Sequence, residues 1–354
     1  MTAHPHLKTL RKIIHRWYVE NARDLPWRNT HDPYVIWLSE IILQQTRVNQ
    51  GMPYFLKFMA RYPDIFALAG APLDEIKKMW EGLGYYRRAE NMHKTARIIA
   101  EQKNGKFPRS YEELLQLPGI GPYTAAAIAS FAFDQPVAVA DGNVHRVLAR
   151  LFHIREPVNS SRGIKLFQQA ADLFLDRSRP ALHNQSLMEF GALQCLPKNP
   201  DCTKCPARNY CMAFASGKPE KLPVKKAKKP SRKRYFHYLV SITSQGISAR
   251  KRTADDIWRG LYEFPSVESE KELTQKEILQ TFEKKFRLKP HQVQFITSVK
   301  HKLTHQDLYL HFWLTTTKLS DVQYFDSESI RAMAFPVVMR RILEDFVNIP
   351  NFET

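Results

Sequence analysis

The chain is organised around the stretch Leu117-Pro118-Gly119-Ile120-Gly121-Pro122-Tyr123-Thr124. Two glycines, Gly119 and Gly121, flank one apolar residue and permit a tight turn whose backbone N–H groups point outward. A helix is predicted to start here, so its positive end faces the same point. The pattern predicts two helices joined by a turn that can hold a phosphate, with Ile120 packed inward. A plain helical connection is the alternative, because Pro-Gly pairs are common in turns.

The charge balance favours a polyanionic partner. The 354 residues include 53 Lys and Arg against 35 Asp and Glu, a formal net charge of +18. This excess indicates binding to nucleic acid or to an anionic membrane surface. No apolar run reaches the ~18–20 residues of a membrane span, and residues 1–6 lack the apolar core of a signal peptide. We expect a cytoplasmic, nucleoid-associated monomer that binds nucleic acid and no membrane.

Apolar spacing divides the chain into two regions. Up to about residue 215 the spacing is helical and prolines, including Pro53, separate the helices. Helices are predicted at 7–21, from Asp32-Pro33 onward, and at about 73–80, 86–102, 111–117, 122–133, 143–152, 163–176 and 183–195. After residue 234, two strands and two helices are predicted, which indicates an α+β domain. These lie at 235–243 and 308–315 for the strands, and at about 274–285 and 336–347 for the helices.

The two regions are separated by a basic segment, residues 218–234. Nine of its seventeen residues are basic and three are prolines. Such a composition predicts a linker that cannot bury a core. It is either a solvated tether or a tether that also holds DNA phosphates.

All four cysteines fall in one short segment, with the spacing Cys195-x6-Cys202-x2-Cys205-x5-Cys211. Four thiolates can hold zinc or an iron–sulfur cluster, and the spacing alone does not choose between them. Two disulfides are the disfavoured alternative in a reducing compartment.

A second motif follows the glycine turn by about twenty residues. The apolar stretch Val137-Ala138-Val139-Ala140 is followed by Asp141, which is predicted to lie in a turn. Asn143 is predicted to cap the next helix. Taken alone, Asp141 reads as a turn or cap residue. Its position after the phosphate turn makes it a candidate functional carboxylate.

Together these motifs resemble the endonuclease III superfamily of base-excision glycosylases, and within it the MutY adenine glycosylases. The resemblance is carried by Asp24-Leu25-Pro26-Trp27-Arg28, the segment from Trp37 to Thr46, Gly82-Leu83-Gly84-Tyr85-Tyr86, the turn, Val139-Ala140-Asp141-Gly142-Asn143-Val144 and the cysteine spacing. It implies a helical glycosylase domain at 1–217, with a helix–hairpin–helix at about 117–124 and a 4Fe–4S loop at 195–211. A MutT-like (Nudix-like) domain follows the 218–234 linker, at 235–354.

The resemblance also implies an activity: removal of adenine opposite 8-oxoguanine or guanine in double-stranded DNA. Breaking this bond requires a proton for the departing base and negative charge near the cationic sugar, a task that sugar hydrolases give to paired carboxylates. The resemblance makes Glu40 the general acid, protonating adenine N7, and Asp141 the stabiliser of the sugar. It places Tyr123 in the same site, with Asn143 orienting water or Asp141.

Glu40 is also a candidate from its own surroundings. Between Val35 and Leu43 only Ser39 and Glu40 are polar. A poorly solvated carboxyl has a raised pKa and can carry a proton near neutral pH. A position on the solvent face of the helix is the alternative.

Tyr123 separates this chain from the bifunctional lyases of the superfamily. Those relatives carry at this position a lysine that forms a Schiff base with the sugar, which tyrosine cannot do. His145 stands where some MutY proteins have a lysine. We therefore expect base removal with little or no strand cleavage.

The remaining implied contacts concern the two bases of the mispair. Arg28 and Gln185 are assigned to the pocket for the extruded base, and Gln45 and Tyr85 to the gap beside the opposite guanine. The alternatives are a surface position for Gln185 and core packing for Tyr85.

The second domain contains the stretch from Trp258 to Pro265, which carries the MutT-like resemblance, but lacks the acidic magnesium-binding box of Nudix hydrolases. We expect it to read the oxidised guanine rather than hydrolyse nucleotides. The family's Phe-Ser-His loop corresponds here to Leu303, Thr304 and His305, with leucine in place of phenylalanine. A cross-strand turn without DNA contact is the alternative.

Three functions are alternatives to adenine removal. A thymine glycosylase acting on T·G mismatches can also carry tyrosine at the turn, but the MutT-like domain argues against it. A non-catalytic lesion-binding module would need neither Glu40 nor Asp141. A zinc-held nucleic-acid adaptor differs from an iron–sulfur protein in its visible absorption.

Overall fold

The computed structural model describes residues 5–227 and 230–347. These form two compact units. The helical unit comprises residues 5–70 and 91–227, and the sheet unit comprises residues 71–90 and 230–347. The sequence-based domains differ from this division, because they assign residues 71–90 to the helical region. The ends of the chain and residues 228–229 of the predicted linker lie outside the described residues.

The helices follow the chain in this order: α1 Leu7–Asn21, α2 Pro33–Leu43, α3 Val48–Arg61, α4 Ile65–Gly70, α5 Leu73–Met79, α6 Arg87–Gln102, α7 Tyr111–Leu114, α8 Pro122–Phe133, α9 Gly142–Leu151, α10 Ser161–Phe174, α11 Pro180–Leu193, α12 Met212–Ala215, α13 Gln275–Phe286, α14 Ser327–Ala332 and α15 Val337–Val347. Local signals explain several boundaries. Asp32 caps α2 by accepting from the backbone N–H of Tyr34 at 2.8 Å, and proline occupies the first turn of α2, α8 and α11.

The predicted boundary at Pro53 is wrong, because this proline lies inside α3. A proline within a helix removes one backbone hydrogen bond. The same helix buries Gly51, Phe55 and Phe58. We attribute the continuity of α3 to this packing, which outweighs the missing bond.

The core of the helical unit forms where α1, α9, α10 and α11 meet. Its buried side chains include Leu10, Ile14, Val147, Leu148, Phe167, Phe174 and Phe190, all nearly inaccessible to water. The core holds α11 against α1 and α9, and both α9 and α11 contribute residues to the cavity described below.

The described residues of the predicted linker make contacts at both of its ends. Leu222 is buried in the core of the helical unit, and the buried Arg150 donates from Nε to the carbonyl oxygens of Pro219 and Leu222 at 3.0 and 3.1 Å. At the other end, residues 232–234 begin the first strand. The prediction that the linker 218–234 buries no core is therefore wrong at Leu222. Its last three residues belong to a strand of the sheet unit.

The strands of the sheet unit are β1 Arg232–Thr243, β2 Gly246–Lys251, β3 Tyr262–Glu263, β4 Ser266–Ser269, β5 Gln294–Lys302, β6 Gln306–Thr315 and β7 Gln323–Phe325. They form one mixed sheet with the order β3-β2-β1-β6-β5, to which β4 and β7 add through β1 and β2. The central pair β1 and β6 is parallel, with Arg232 opposite Gln306 and Ser241 opposite Thr315.

Alternation along β1 gives the sheet two apolar faces. Phe236, Tyr238 and Val240 join one cluster with side chains of α14 and α15. Leu239 joins the other with Ile278 and Phe282 of α13. The α+β architecture predicted for this half of the chain is confirmed.

Within residues 5–227 and 230–347, no helix is long and apolar enough to cross a membrane.

Candidate active site

A cavity of about 160 Å³ lies in the helical unit. Its lining brings together the predicted residues Arg28, Glu40, Tyr123, Asp141, Asn143 and Gln185. They come from α2, α8, α9, α11 and the 3₁₀ turn Pro26–Arg28 that precedes α2. Two carboxyl groups separated by about a hundred residues in sequence therefore face one space.

Glu40 lies on α2 and only 7% of it is exposed, so the solvent-facing alternative is excluded. The Tyr123 hydroxyl donates to Glu40 Oε2 at 2.6 Å. Burial raises the pKa of Glu40 to about 7, and the nearby Asp141 charge adds to this rise, while the Tyr123 hydrogen bond and Arg28 oppose it. Burial also raises the pKa of Tyr123, so its hydroxyl keeps its proton. Glu40 can thus hold a proton near neutral pH.

Asp141 is the N-cap of α9. This confirms the description of Asp141 as a cap residue, whereas the prediction that Asn143 caps the helix is wrong, because Asn143 lies inside it. Its Oδ1 accepts from the backbone N–H groups of Asn143 and Val144 at 2.9 and 2.7 Å, and its Oδ2 accepts from Asn143 Nδ2 at 2.7 Å. Burial raises the pKa of Asp141, while these hydrogen bonds and the charge of Arg146 act to lower it. The surrounding donors favour the charged carboxylate.

Sequence reasoning missed Arg146, which connects this carboxylate to the cysteine loop. Its Nη2 donates to Asn143 Oδ1 at 2.9 Å, and its Nε donates to the carbonyl oxygen of Cys195 at 2.7 Å. Arg146 and Cys195 are 49 residues apart in the sequence, so a local sequence pattern could not predict their contact.

Two further residues that the sequence did not single out hold Arg28 and Gln185, the side chains predicted for the base pocket. Glu189 is fully buried and accepts from Arg28 Nη2 at 2.6 Å. Tyr18 donates from its hydroxyl to Gln185 Oε1 at 2.9 Å. Gln185 and Glu189 lie four residues apart on α11, so both side chains lie on one helix face. This spacing is the sequence feature from which Glu189 could have been predicted.

The glycine turn has the geometry expected of it. Gly119 has φ +76°, and a Cβ there would lie 2.6 Å from the Cβ of Asn91, so this position needs glycine. Gly121 precedes α8, and a Cβ there would meet no atom within 4 Å. Ile120 is 5% exposed, which confirms that it packs inward. The open side of the turn therefore lies at Gly121 and the N-terminus of α8.

The four cysteines line a second cavity in the helical unit. Arg150, 2% exposed, donates from Nη1 to Cys195 Sγ at 3.3 Å and to the carbonyl oxygen of Leu196 at 2.7 Å. Burial raises the pKa of Cys205 to about 12. In the described part of the chain, no three His, Cys, Asp or Glu side chains are arranged to hold a single metal ion. The four sulfurs and the buried guanidinium fit a group bound through thiolates.

The two residues assigned to the gap beside the opposite base both have a positive backbone dihedral angle φ. Gln45, in the helical unit, has φ +57°, and Tyr85, in the sheet unit, has φ +48°. Non-glycine residues in this left-handed region carry strain that is often found at functional positions. Tyr85 is 49% exposed, so core packing, the alternative for this residue, is excluded.

The turn between β5 and β6 contains the three residues matched to the family loop. Leu303 donates its N–H to the Gln306 carbonyl at 2.8 Å and packs against the sheet core. Thr304 and His305 are exposed. The Thr304 hydroxyl forms a short hydrogen bond with the Tyr85 hydroxyl, within the sheet unit. The leucine is therefore explained by packing, and the threonine belongs to the same exposed patch as Tyr85.

His145 is half-buried on α9, and burial lowers its pKa. Its ring lies against Phe167, with centroids 5.3 Å apart. At neutral pH it is an uncharged packing residue.

Comparison with known families assigns each half of the chain. Residues 38–168 match the HhH-GPD superfamily of base excision DNA repair proteins. Residues 237–345 match the NUDIX domain family.

Similar proteins extend these matches to most of the chain. An adenine DNA glycosylase of Buchnera aphidicola subsp. Baizongia pistaciae is 38% identical, with 87% of each chain covered. A second, from Buchnera aphidicola subsp. Acyrthosiphon pisum, is 32% identical and covers 95% of this chain and 97% of its own. A solved thermostable thymine-DNA glycosylase is 31% identical with a TM-score of 0.55, and covers 59% of this chain and 97% of its own.

Proposed function

The chain belongs to the adenine DNA glycosylases of base excision repair, and on that premise we propose that it removes adenine paired with 8-oxoguanine or guanine in double-stranded DNA. The thymine-specific structure covers only 59% of the chain, whereas the adenine-specific relatives also cover the second unit. The excess of basic residues favours binding to the phosphate backbone.

The reaction begins with rotation of adenine out of the duplex into the cavity of the helical unit, which removes a few kcal/mol of stacking and pairing. The turn at Gly119 and Gly121 holds a backbone phosphate with its N–H groups and the positive end of α8. Arg28 and Gln185 then contact the extruded base.

Glu40 delivers a proton to adenine N7 as the bond to the sugar breaks. Its burial and its pKa of about 7 support this role, because a general acid works best when its pKa lies near the working pH. Tyr123 donates to one oxygen of Glu40, which leaves the proton on the other oxygen. The base thus departs as a neutral molecule.

Asp141 stabilises the positive charge that develops on the deoxyribose. The hydrogen bonds from Asn143 and Val144 fix its orientation and favour its charged form. Stabilisation of a cationic sugar by a fixed carboxylate is the second half of the chemistry of glycoside hydrolysis. Water then adds to the cationic sugar carbon and gives a proton to the ionised Glu40, which completes the hydrolysis and restores the acid.

Strand cleavage is not part of this proposal. A lyase needs an amine that can attack the sugar, and the positions that carry one in relatives hold Tyr123 and His145 here. The enzyme is therefore monofunctional.

The cysteines hold a 4Fe–4S cluster whose role is to order the loop 195–211. The donor set and the buried Arg150 beside Cys195 support a thiolate-bound group. Purified protein should absorb broadly in the visible region. A colourless protein containing one zinc ion would exclude the cluster.

The sheet unit reads the base opposite adenine. Thr304 and Tyr85 present hydroxyls on one exposed patch, and His305 is exposed beside them. Such groups can hydrogen-bond to the additional atoms of an oxidised guanine, and an aromatic ring can enter a base stack.

One observation carries the proposal: Glu40 and Asp141 line the same cavity. The test is excision from duplexes with a panel of mispairs, assayed with and without hot alkali. We expect alkali-dependent nicks at adenine opposite 8-oxoguanine or guanine only. Nicks without alkali would contradict the absence of lyase activity, and equal excision of thymine would contradict the substrate.

A further inference from the structure

A tyrosine beside the cavity has no part in the chemistry described above. Tyr18 lies on α1, and its hydroxyl donates to Oε1 of Gln185, a residue that lines the cavity. A carboxamide has one accepting end and one donating end. With its oxygen engaged by Tyr18, Gln185 has its NH2 group left for a base that enters the cavity.

The Tyr18 ring lies against a network of charged side chains centred on the buried Glu189. The Arg28 guanidinium carbon lies 5.8 Å from the centre of the Tyr18 ring, and Arg28 is itself held by Glu189. Arg23 also donates to Glu189, from Nε and Nη2, at 2.7 and 2.6 Å. Burial alone would raise the pKa of Glu189, but these hydrogen bonds outweigh it and lower the pKa to about 2. The carboxylate therefore stays charged and keeps both arginines in position.

We propose that Tyr18 is a specificity-determining positioning residue, which turns the Gln185 NH2 group toward the extruded base and so selects adenine over purines that carry a proton on N1. This inference rests on the proposed function, which places the base beside Gln185.

The selection follows from the hydrogen-bonding pattern of the purine. Adenine N1 is an acceptor and matches the Gln185 NH2 group. In hypoxanthine N1 carries a hydrogen, so two donors would face each other and neither would be satisfied. A carboxamide free to rotate would offer its oxygen instead and would accept the N1–H of hypoxanthine.

The test is Tyr18→Phe, which removes the hydroxyl and retains the ring. Single-turnover excision of adenine and of hypoxanthine, each placed opposite guanine, is measured on the same protein preparation. We expect the adenine-to-hypoxanthine rate ratio to fall about five- to tenfold, the effect of one neutral hydrogen bond. A loss of folded protein lowers both rates equally and leaves the ratio unchanged.

Tyr34→Phe is the matched control, because the Tyr34 hydroxyl donates to the Tyr62 carbonyl at 2.6 Å and is not part of the base pocket described above. This change should lower thermal stability without altering the ratio. An equal fall of the ratio in Tyr34→Phe would contradict the inference.

Gln185→Ala separates the inference from the proposed function. If Tyr18 acts through Gln185, Gln185→Ala lowers the ratio and adding Tyr18→Phe lowers it no further. A ratio that changes in Gln185→Ala but not in Tyr18→Phe overturns the role of Tyr18 and leaves the base pocket intact. An unchanged ratio in Gln185→Ala overturns the base pocket itself.

Discussion

Two carboxyl groups of the same cavity differ in the groups that surround them. Glu40 lies on an apolar helix and receives one neutral hydrogen bond, from Tyr123. Asp141 receives hydrogen bonds from two backbone amides and one side-chain amide at a helix N-terminus. Since donors favour the charged form and burial favours the neutral form, the proton belongs on Glu40.

This assignment predicts the pH dependence of excision. Glu40 must be protonated to act, and its pKa is raised to about 7. The single-turnover rate should therefore fall as pH rises through 7, by about tenfold per unit, and should also fall at acid pH, where Asp141, whose pKa is raised by burial, becomes protonated.

Tyr123→Phe sharpens this prediction. The Tyr123 hydrogen bond lowers the pKa of Glu40, so its removal should move the falling limb of the profile to higher pH. A limb at an unchanged pH would mean that another group supplies the proton.

The sequence indicated Glu40 and Asp141 because each carries a local signal. Glu40 interrupts an apolar helix, and Asp141 ends an apolar stretch before a helix. Tyr18 and Arg146 carry no comparable signal, because their contacts with Gln185 and Cys195 span 167 and 49 residues. Such contacts are set by packing of the helical core and cannot be deduced from periodicity. Glu189 is marked only by its four-residue spacing from Gln185.

At the scale of elements, the turn before α8 combines two glycines with different requirements. Gly119 has positive φ and close contact with Asn91, whereas Gly121 has ordinary dihedral angles and open space. We expect Gly119→Ala to destabilise the helical unit by about 1–3 kcal/mol, since the conformation is strained for any other residue.

Gly121→Ala should leave the melting temperature nearly unchanged and weaken duplex binding several-fold, because its methyl group would occupy the space that the proposed phosphate contact requires. Gly70→Ala, also in open space, serves as the control for both measurements. Unaltered affinity in Gly121→Ala would mean that this turn is only a structural connection.

The elements that could be predicted are those with a capping residue or a helical spacing of apolar residues. Asp32-Pro33 marked the start of α2, and helical spacing marked α1, α6 and α8. Strand β5 was not predicted. None of its residues is buried and most of its side chains are polar, so its conformation depends on pairing with β6 rather than on a local apolar pattern. The extension of α3 through Pro53 likewise depends on burial of its apolar face rather than on local propensity.

For the whole molecule, the change from helical to strand-forming sequence predicted two architectures, and both are found. The grouping of residues 71–90 with the sheet unit was not predictable. It depends on long-range contacts within that unit, such as Lys251 with Asp74 at 2.8 Å and Arg340 with Glu81 at 2.7 Å. Neither ion pair can be predicted from a local sequence pattern.

The sheet unit should set the preference for the base opposite adenine. Thr304→Val removes the hydroxyl that contacts Tyr85 and keeps the shape of the side chain. We expect the preference for 8-oxoguanine over guanine to fall about five- to tenfold, the effect of one hydrogen bond. Thr316→Val, at another exposed position of the unit, should leave it unchanged. A preserved preference in Thr304→Val would remove this hydroxyl from recognition.

The central claim is that Glu40 supplies the proton that releases adenine. Its most direct test is Glu40→Gln, assayed for duplex affinity and for single-turnover excision of adenine opposite 8-oxoguanine. The account predicts near-normal affinity together with a loss of rate of about 10²–10⁴-fold, the usual contribution of a general acid. Excision at the normal rate by this variant would contradict the account.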